Sequence, residues 1–420
     1  MRQQTEFGEI PVDWQVKKII DIKSDDKRAI AMGPFGSNIK ADNFVPSGVP
    51  VIRGTNMNYA KYVDGNFVYL TDEKADELIG SNCKPDDLVF THRGTIGQVA
   101  LIPHNKYSRY VISQSGMKLT VNQSIVNSEF LFYFFKSDYG QYQILKYEAQ
   151  VGVPSISNPL TSLKEMNVPV PLLTEQKAIV SVLSSLDNKI DLLHRQNKTL
   201  EAMAETLFRQ WFVEEAQDDW EEVNVLNIFS LVGGGTPKTS IDEYWNGNIP
   251  WISGGDISQS HKGFISKTEK SITELGLKSS STKLLPKLST IISARGTVGR
   301  YAMLEQEMCF SQSNYGIIPK GHNCYYFVYL LIGFIVDELL AAAYGSVFDT
   351  ITTRTFESVD LKLPEMSEII NFEATVIEHF KKKELNSRQI QTLEKLRDTL
   401  LPKLMSGEVR VNYTPEEIKQ

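Results

Sequence analysis

Cysteine is scarce in this sequence, and its placement excludes a disulfide framework. The 420 residues contain three cysteines, Cys83, Cys309 and Cys324, which form neither a CxxC pair nor an even set. We expect them to be buried free thiols in a reducing compartment, the cytoplasm. The opening residues MRQQTEFGEIPVDW contain no apolar run of the signal-peptide type, which agrees with this expectation.

The sequence also has no long uncharged apolar run. Its most apolar stretch, YYFVYLLIGFIVDELLAAA, is interrupted by Asp337 and Glu338. It therefore falls short of the ~18 uncharged residues that are typical of a membrane helix. We predict a buried helix of a globular domain and no membrane partner.

Motifs for catalysis, cofactors and metals are missing as well. The stretch GGGTPKTS resembles a phosphate-binding loop, but Pro237 replaces the glycine before the lysine. Asp86 and Asp87 in KPDDLVF resemble the start of a nuclease site. The matching stretch of the second half, LPKLSTI, has no carboxylates, so a turn into a strand is the better prediction. His322 and Cys324 form an isolated pair. We predict no catalytic residue, no metal and no cofactor.

Positive charge is not in excess, since 44 lysines and arginines are outnumbered by 51 acidic residues, which gives a net charge of −7. This balance argues against a nucleic-acid partner at first sight. However, the stretch EEAQDDWEE is strongly acidic and is typical of a solvated linker. A basic face elsewhere is compatible with the net charge, because net charge does not fix the local potential.

What the sequence does contain is a repeat that spans almost the whole chain. RGTIG at Arg93 matches RGTVG at Arg295, SQSG matches SQSN, and TLEAMAETL matches TLEKLRDTL. Trp14 likewise matches Trp220. A period of about two hundred residues is far longer than the 20 to 50 residues of a solenoid repeat. We infer that one large unit, a domain plus a connector, is present twice.

Each repeat begins with a mixed α/β module and ends with a long helix. Short β-like runs such as PVIRGTNM, DLVFTHRG and MKLTVN come first, together with a short apolar helix, SEFLFYFFKSD. From Thr174 to Val213 there is no proline or glycine, and apolar residues recur at heptad spacing. Thr174 is the predicted N-cap. The predicted helix-pairing positions are Ile179, Leu183, Leu186, Ile190, Leu193, Asn197, Leu200 and Leu207.

The second long helix has a weaker apolar seam. His379, Lys383 and Asn386 stand where the first helix has apolar residues. Pro402 is expected to end or kink this helix, and Gly407 lies just past it. We predict that the two helices pack antiparallel and that Asn197 fixes their register. The apolar pairing positions of the second helix are Ile390, Leu393 and Leu400.

The residue types that recur in both halves are typical of DNA contacts. Glycine lets a backbone approach a phosphate or a base edge, arginine forks onto guanine or phosphate, and Ser, Thr, Asn and Gln hydrogen-bond to either. The alternative is that RGTxG marks a tight hairpin whose arginine only covers the sheet. Sequence reading is expected where the copies differ, as in GPFGSNIKADNF against GGGTPKTSIDEY. The DNA-binding candidates are Lys40, Arg53, Thr55, Asn56, His92, Arg93 and Thr95 in the first half and Lys238, Thr239, Ser253, Arg295 and Thr297 in the second.

With its order of module, helix, module and helix, the chain resembles the specificity subunit of a type I restriction-modification system. The elements most specific to the resemblance are GEIPVDWQVKKI, GGGTPKTSIDEYWNGNIPWISGGDI, RGTIG and RGTVG, PVPLLTEQKAIVSVLSSLDNKIDLL, and LLPKLMSGEVRV. The resemblance implies an α/β fold with two pseudo-symmetric target-recognition domains, separated by two long antiparallel coiled-coil helices. It also implies that each domain reads one half of a bipartite, asymmetric site in double-stranded DNA. Two methyltransferase subunits and, in the full complex, restriction (translocase) subunits would bind the chain and carry out the chemistry.

Two alternatives remain open. One is a stand-alone adenine-specific DNA methyltransferase, which the missing cofactor loop and catalytic tetrapeptide disfavour. The other is a helical scaffold protein without a role on DNA. The predicted segments are a first target-recognition domain at 1–172, a first spacer helix at 173–213, a second target-recognition domain at 214–366, a second spacer helix at 367–406 and a C-terminal tail at 407–420.

Overall fold

The computed structural model describes residues 1–36, 38–58, 61–104, 106–149, 152–343 and 350–411. The chain divides into two compact units, Met1–Ile190 with Thr392–Gln420, and Asp191–Gln391. Each unit contains one mixed α/β module, here called the first and the second module, and a portion of both long helices. The predicted fold class, a duplicated α/β protein with two long helices, is therefore confirmed. Residues 412–420 of the predicted tail lie outside the described residues.

The first module is built on two four-stranded sheets and two strand pairs. The first sheet has the order Val68–Leu70, Val49–Ile52, Tyr110–Ile112 and Asn82–Cys83, and the second has the order Ile30–Met32, Gly116–Leu119, Leu88–Thr91 and Val99–Leu101. The strand pairs are Arg2–Thr5 with Gly8–Pro11 and Gln15–Lys18 with Asn167–Val170. The helices are Ile19–Ile22, Asp72–Glu77, Ser128–Lys136, Asp138–Leu145 and Pro159–Glu165, with single 3₁₀ turns at Ala41–Asn43, Gly54–Met57 and Ile79–Ser81.

The core of the first module forms around the Ser128–Lys136 helix, which the sequence predicts from its apolar residues. Phe130 and Phe134 are fully buried, and each such ring contributes about 1.5–3 kcal/mol through the apolar surface it removes from water. The Asn127 side chain accepts a hydrogen bond from the Phe130 N–H at 3.0 Å and so caps the helix. The Gln176 side chain in turn accepts from the Asn127 N–H at 2.8 Å, which ties this helix to the first turn of the first long helix.

The second module has one five-stranded sheet, one three-stranded sheet and one strand pair. The five-stranded sheet has the order Phe229–Gly233, Asn314–Pro319, Thr290–Ser293, Tyr301–Leu304 and Phe264–Ile265. The three-stranded sheet has the order Lys270–Ile272, Trp245–Ile252 and Cys309–Phe310, and Glu221–Asn224 pairs with Asp360–Leu363. The helices are Val225–Ile228, Gly254–Gln259, Glu274–Lys278, Tyr325–Ala343 and Thr353–Glu357, with a 3₁₀ turn at Asp242–Tyr244.

The Tyr325–Ala343 helix is the core helix of the second module. It is long and apolar enough to span a membrane by length and composition, but 56% of its most apolar window is buried inside the protein. Phe327, Leu331 and Leu339 are all fully buried in one cluster with the strands and the long helices of this unit. The prediction of a buried globular helix is confirmed.

All three cysteines are free and buried, as the sequence predicts. Burial raises the pKa of the Cys309 and Cys324 thiols to about 11. These thiols therefore stay protonated at neutral pH and behave as small apolar side chains.

Each module is followed along the chain by a long helix. The first long helix is Leu173–Arg209 and continues into a π-helical turn, Gln210–Glu214. The second long helix is Met366–Met405. The predicted N-cap at Thr174 is wrong, because the Leu172 carbonyl already accepts the Gln176 N–H at 3.0 Å and Thr174 lies inside the first turn.

Pro402, which is expected to end or kink the second long helix, lies in its last turn, and the helix ends three residues later at Met405. A proline in the last turn removes only one intrahelical hydrogen bond. Gly407 follows with φ +64, the left-handed conformation of a helix C-cap, and its N–H donates to the Leu404 carbonyl at 3.2 Å.

The long helices pack antiparallel within each unit. In the first unit, Asp187 pairs with Arg397, while Leu183, four residues earlier, lies in one core with Leu404. In the second unit, the Asn197 side chain donates to Ser387 Oγ at 3.4 Å, and Glu201 pairs with Lys383. Of the pairing positions, Ile179, Leu183, Ile190, Leu193 and Ile390 are buried, and Leu186, Asn197, Leu200, Leu207, Leu393 and Leu400 are half-buried.

The polar middle of the second long helix has partners in the second unit. Lys383 is only 4% exposed and forms an ion pair with the buried carboxylate of Glu201. The Tyr329 hydroxyl donates to the same carboxylate at 2.8 Å, and Lys383 also donates to the Lys262 carbonyl at 3.2 Å. Burial lowers the pKa of Lys383, whereas the Glu201 carboxylate favours its ammonium form. The stretch around Lys383, which the sequence shows as a weakened apolar seam, therefore contains a buried ion pair in the structure.

The predicted register residue Asn197 also has a partner in the second unit. Its Oδ1 atom accepts a hydrogen bond from the Asn386 side chain at 3.0 Å. This amide–amide hydrogen bond forms in one register only, because a slip by one turn would move the two side chains apart.

Candidate nucleic-acid interface

The RGT segment of the first module is the tip of a hairpin. It connects the strands Leu88–Thr91 and Val99–Leu101, and Gly94 and Gly97 take φ of +85 and +88. The Thr91 hydroxyl donates to the Thr95 carbonyl and closes the loop. Glycine at these two positions supplies a backbone conformation that side-chain-bearing residues rarely adopt.

The RGT segment of the second module is built in the same way. It connects Thr290–Ser293 and Tyr301–Leu304, with φ of +79 at Gly296 and +82 at Gly299, and the Ser293 hydroxyl donates to the Thr297 carbonyl. The hairpin alternative is therefore correct as a description of the backbone. It does not exclude a binding role, because Arg93, Thr95, Arg295 and Thr297 are all exposed at the hairpin tips.

Hydrogen bonds bring the predicted loops of the first module together. The Ser113 N–H donates to the Ile52 carbonyl at 2.9 Å, and the His92 N–H donates to the Ser115 carbonyl at 2.9 Å. The Gln98 side chain reaches the Gly54 carbonyl at 3.3 Å. Together with the loop that begins at Gly33, which is bonded to Gly116 at 2.9 Å, these loops form one surface. We call residues 33–40, 53–58, 92–98 and 113–116 the first reading surface, of which Ser37 is not described.

The equivalent loops of the second module converge through the same types of contact. The Ser311 N–H donates to the Ile252 carbonyl at 3.0 Å, and the Ala294 N–H donates to the Ser313 carbonyl at 2.9 Å. The hydroxyls of Ser258 and Thr297 lie 2.7 Å apart. We call residues 234–240, 253–258, 295–299 and 311–314 the second reading surface.

Two glycines allow the variable loop of each surface to pack closely on the SQS turn. A Cβ atom at Gly33 would overlap the Ser113 carbonyl oxygen, and one at Gly234 would overlap the Ser311 carbonyl oxygen. The Thr236 hydroxyl then donates to the Gln312 side chain. The loops that differ in sequence between the halves are thus held on the turns that recur in both.

The basic residues of the reading surfaces are free of acidic partners. Across the described ranges, no carboxylate lies within 4.0 Å of the side-chain nitrogens of Lys40, Arg93, Lys238 or Arg295, and all four side chains are exposed. By contrast, Arg109 of the first module is held by Asp72 and Asp76 at 2.6 and 2.5 Å. Unpaired cations on exposed loops are available to phosphates and base edges.

Two of the predicted DNA-binding residues are placed differently by the structure. Asn56 is 1% exposed; its side chain accepts from the Arg53 N–H at 3.0 Å and donates to the Asp64 carbonyl at 3.1 Å. His92 is buried with Nε2 3.2 Å from the Gln114 carbonyl oxygen, and burial lowers its pKa. Since neither side chain reaches solvent, both position loops and the prediction of direct DNA contact is corrected for them. Arg53, Thr55, Lys238 and Thr239 are exposed, and Ser253 is half-buried as the N-cap of Gly254–Gln259.

Sequence reasoning missed Phe35. Its side chain is 78% exposed within the variable loop of the first reading surface. Single exposed apolar side chains are common on protein surfaces, so it is the place of Phe35 in the variable loop that makes it a candidate for contact with a thymine methyl group or a base step. The signal was present in the sequence as a phenylalanine between two glycines of the loop GPFG.

The acidic pair singled out by the sequence is structural, as predicted. Asp86 has φ +70 and its carboxylate lies 2.9 Å from His104 Nε2, in the turn that leads into Leu88–Thr91. Asp87 is fully buried, where its carboxylate accepts from the Lys84 N–H at 3.0 Å and from the Thr120 hydroxyl at 2.5 Å. Across the part of the chain that the structure describes, no group of three or more His, Cys, Asp or Glu side chains is arranged to hold a metal ion.

Comparison with known proteins agrees with the presence of two equivalent modules in this chain. The sequence profile of a family described as the type I restriction modification DNA specificity domain matches residues 11–202 and again 217–395. The chain is 26% identical to the type I restriction enzyme MjaIX specificity subunit of Methanocaldococcus jannaschii, over 97% of this chain and 96% of that protein. It is 24% identical to the type I restriction enzyme HindI specificity subunit of Haemophilus influenzae, over 74% of this chain and 83% of that protein.

Among solved structures, the fold is similar to that of the S subunit of the type I restriction-modification system from M. genitalium. The TM-score is 0.60 at 16% sequence identity, over 96% of this chain and 97% of that chain. At this identity the likeness concerns the fold alone.

The chain belongs to the family of type I restriction-modification DNA specificity subunits, since both halves match the family profile. It is a non-catalytic recognition subunit, as the sequence predicts. The alternatives of a stand-alone methyltransferase and of a scaffold without a DNA role are not supported by any of these similarities.

Proposed function

We propose that the chain reads a bipartite, asymmetric site in double-stranded DNA, with one half-site for each module. The observation that carries this proposal is that the two reading surfaces have the same construction but different side chains. In each, an SQS turn bonds to the strand before a second loop and to an RGT hairpin. A shared scaffold with different contact residues is expected to bind DNA in the same manner and to recognise different bases.

The difference between the surfaces is greatest in the variable loops. The first surface presents the exposed ring of Phe35, and at the matching place the second presents Thr236, with the free cation of Lys238 two residues later. An apolar contact and a charged contact distinguish different base edges in the major groove. The two half-sites should therefore differ in sequence, which makes the whole site asymmetric.

We further propose that the long helices bind two copies of a methyltransferase subunit. Leu192 and Met203 of the first long helix are exposed, and so are Leu385 and Leu396 of the second. These residues match in pairs in the repeat, Leu192 with Leu385 and Met203 with Leu396. Apolar side chains exposed at equivalent places of a duplicated helix fit two copies of the same partner.

Restriction (translocase) subunits would join the full complex, and all catalysis would belong to the partner subunits in the cytoplasm, with no cofactor bound by this chain. In this proposal, residues 1–172 and 214–366 are the target-recognition domains, 173–213 and 367–406 are spacer helices, and 407–420 is the C-terminal tail.

Replacing Arg93 or Arg295 by alanine is expected to weaken binding to the intact site by about 1–3 kcal/mol, or about 5- to 150-fold in Kd. Each arginine is exposed and has no acidic partner among the residues that the structure describes, so its loss removes a DNA contact and leaves no described buried group without a partner. The measurement is a titration of the complex with its methyltransferase partner against labelled duplex DNA. Arg109→Ala is the matched control, because Arg109 lies in the first module but is occupied by Asp72 and Asp76.

The division of labour is tested by selecting bound sequences from a randomised DNA library with the same complexes. Arg93→Ala should relax or change the first half-site only, and Arg295→Ala the second half-site only. If either substitution altered both half-sites equally while Arg109→Ala altered neither, the assignment of one half-site to each module would be wrong.

A further inference from the structure

The first unit contains an arginine held by two carboxylates beside a tryptophan. Arg410 donates from Nε to Glu175 Oε1 at 2.8 Å and from Nη1 to Asp13 Oδ1 at 3.0 Å. The Trp14 indole N–H donates to Glu175 Oε2 at 3.1 Å, and the ring is only 2% exposed. The chain turns at Gly407, packed on Pro11 and Trp14, to bring Arg410 into this place.

The second unit contains equivalents of the tryptophan and the two carboxylates that surround Arg410. Trp14 precedes the strand Gln15–Lys18, and Trp220 precedes the strand Glu221–Asn224. Each of these strands pairs with the strand that leads into a long helix, and the register of the pairing is the same in both units. Both long helices begin three residues after that strand ends, at Leu173 and Met366. The positions of Asp13, Trp14 and Glu175 are therefore taken by Asp219, Trp220 and Glu368.

In the second unit, the repeat that matches TLEAMAETL with TLEKLRDTL places Gln217 at the position of Arg410, so this unit supplies an amide where the first supplies a guanidinium. Asp219, Trp220 and Glu368 line an open pocket of about 450 Å³, together with the further acids Glu221 and Glu365. No lysine or arginine lines this pocket, and no ion pair involves its four carboxylates in the described residues. Asp219 and Glu368 are exposed and Trp220 is half-buried, whereas Trp14 and Glu175 are buried under the chain's own tail.

We propose that this pocket, bounded by Asp219, Trp220 and Glu368, receives an arginine side chain of a partner protein. In the first unit, the Arg410 guanidinium donates four hydrogen bonds to the equivalent residues, two to the Asp13 carboxylate and two to the Glu175 carboxylate. Two carboxylates that accept a planar fork beside an aromatic ring select arginine over lysine. The four unpaired acids of the pocket add a negative potential that attracts a cation.

The arginine is assigned to another protein because the tail arginine of this chain is not available. The chain's own Arg410 is already engaged by Asp13 and Glu175 in the first unit, so a second copy of the chain offers no free equivalent. The identification of this partner as a subunit of the restriction-modification complex rests on the proposed function. The pocket and its preference for arginine are independent of the proposed function.

The pocket is tested with a synthetic peptide, LMSGEVRV, that copies residues 404–411, and a control peptide, LMSGEVQV, that lacks the guanidinium. The full chain has five tryptophans and is labelled with 5-fluorotryptophan; the Trp220 resonance is assigned by Trp220→Phe in a fluorine NMR spectrum. We expect a saturable shift of the Trp220 resonance with the arginine peptide and none with the glutamine peptide.

Substitution of Asp219→Asn with Glu368→Gln should weaken this binding at least about tenfold, since charge-assisted hydrogen bonds are lost. Glu222 is an exposed acid next to Glu221 that does not line the pocket, so Glu222→Gln should leave the affinity for the peptide unchanged. Equal shifts with both peptides, or a shift at Trp14 in place of Trp220, would overturn the proposal. The proposal would also be overturned if the chain associated with itself and Asp219→Asn abolished this association, because a second copy of the chain would then occupy the pocket.

The complex with the methyltransferase partner separates this inference from the proposed function. If the arginine peptide does not bind but the complex still assembles and methylates a bipartite site, the pocket inference falls and the proposed function stands. If the peptide binds as expected and no bipartite site is methylated, the reverse holds.

Discussion

Replacing Lys383 by methionine is expected to destabilise the second unit by about 3–5 kcal/mol. The substitution leaves the buried Glu201 carboxylate with the Tyr329 hydroxyl but without its cation. An unpaired charge in a buried place costs far more than the loss of an exposed ion pair. The effect is measured as the change in the free energy of unfolding in urea, followed by circular dichroism.

Two further variants give this prediction a sharp control. Lys381→Met removes an exposed lysine from the same helix, whose only described ion pair is with Glu378, and should cost less than about 1 kcal/mol. The double variant Glu201→Met with Lys383→Met removes both charges and should recover most of the lost stability. If Lys383→Met cost no more than Lys381→Met, the ion pair would not be part of the helix pairing.

Lengthening both long helices by one turn is expected to change the gap between the half-sites and leave the half-site sequences unchanged. We would insert four residues after Gln196 and four after Ser387, which lie at one level because Asn197 contacts Ser387. Four helical residues add about 6 Å, and the rise of DNA is about 3.4 Å per base pair, so the gap should grow by one or two base pairs. The parent site should lose methylation.

The measurement is a map of methylated sites in cells that carry the lengthened chain and its partner subunits. A matched insertion of four residues after Ala216, in the exposed acidic segment that follows the first long helix, adds chain but no helix and should leave the gap unchanged. An active variant with lengthened helices and the parent gap would show that the helices do not set the separation.

The long helices and the RGT hairpins could be predicted from the sequence because their signals are local. Heptad spacing around Leu183 and Leu193 defines a buried stripe, and glycines at fixed places define the hairpin between two β-like runs. The partner of Lys383 could not be predicted, because Glu201 lies 182 residues away along the chain and no local spacing relates the two. A polar residue in a seam appears as a defect until its partner is known.

The residues predicted to contact DNA differ in exposure, and this difference could not be predicted from residue type. Arg93 and Arg295 are exposed because a hairpin tip has no room to bury a long charged side chain. Asn56 has the same residue type as many DNA-contacting residues, but its amide satisfies backbone groups of its own module. Residue type indicates what a side chain is able to bind, and only the tertiary structure shows whether its hydrogen-bonding groups are already used.

The proposal that one chain reads two different half-sites is tested most directly by methylation-aware sequencing of DNA from cells that express the chain with its methyltransferase partner. The two reading surfaces, with equal scaffolds and different contact residues, predict a single two-part motif with unlike halves and a fixed gap between them. A contiguous motif, or a palindromic one with two identical halves, would contradict the account.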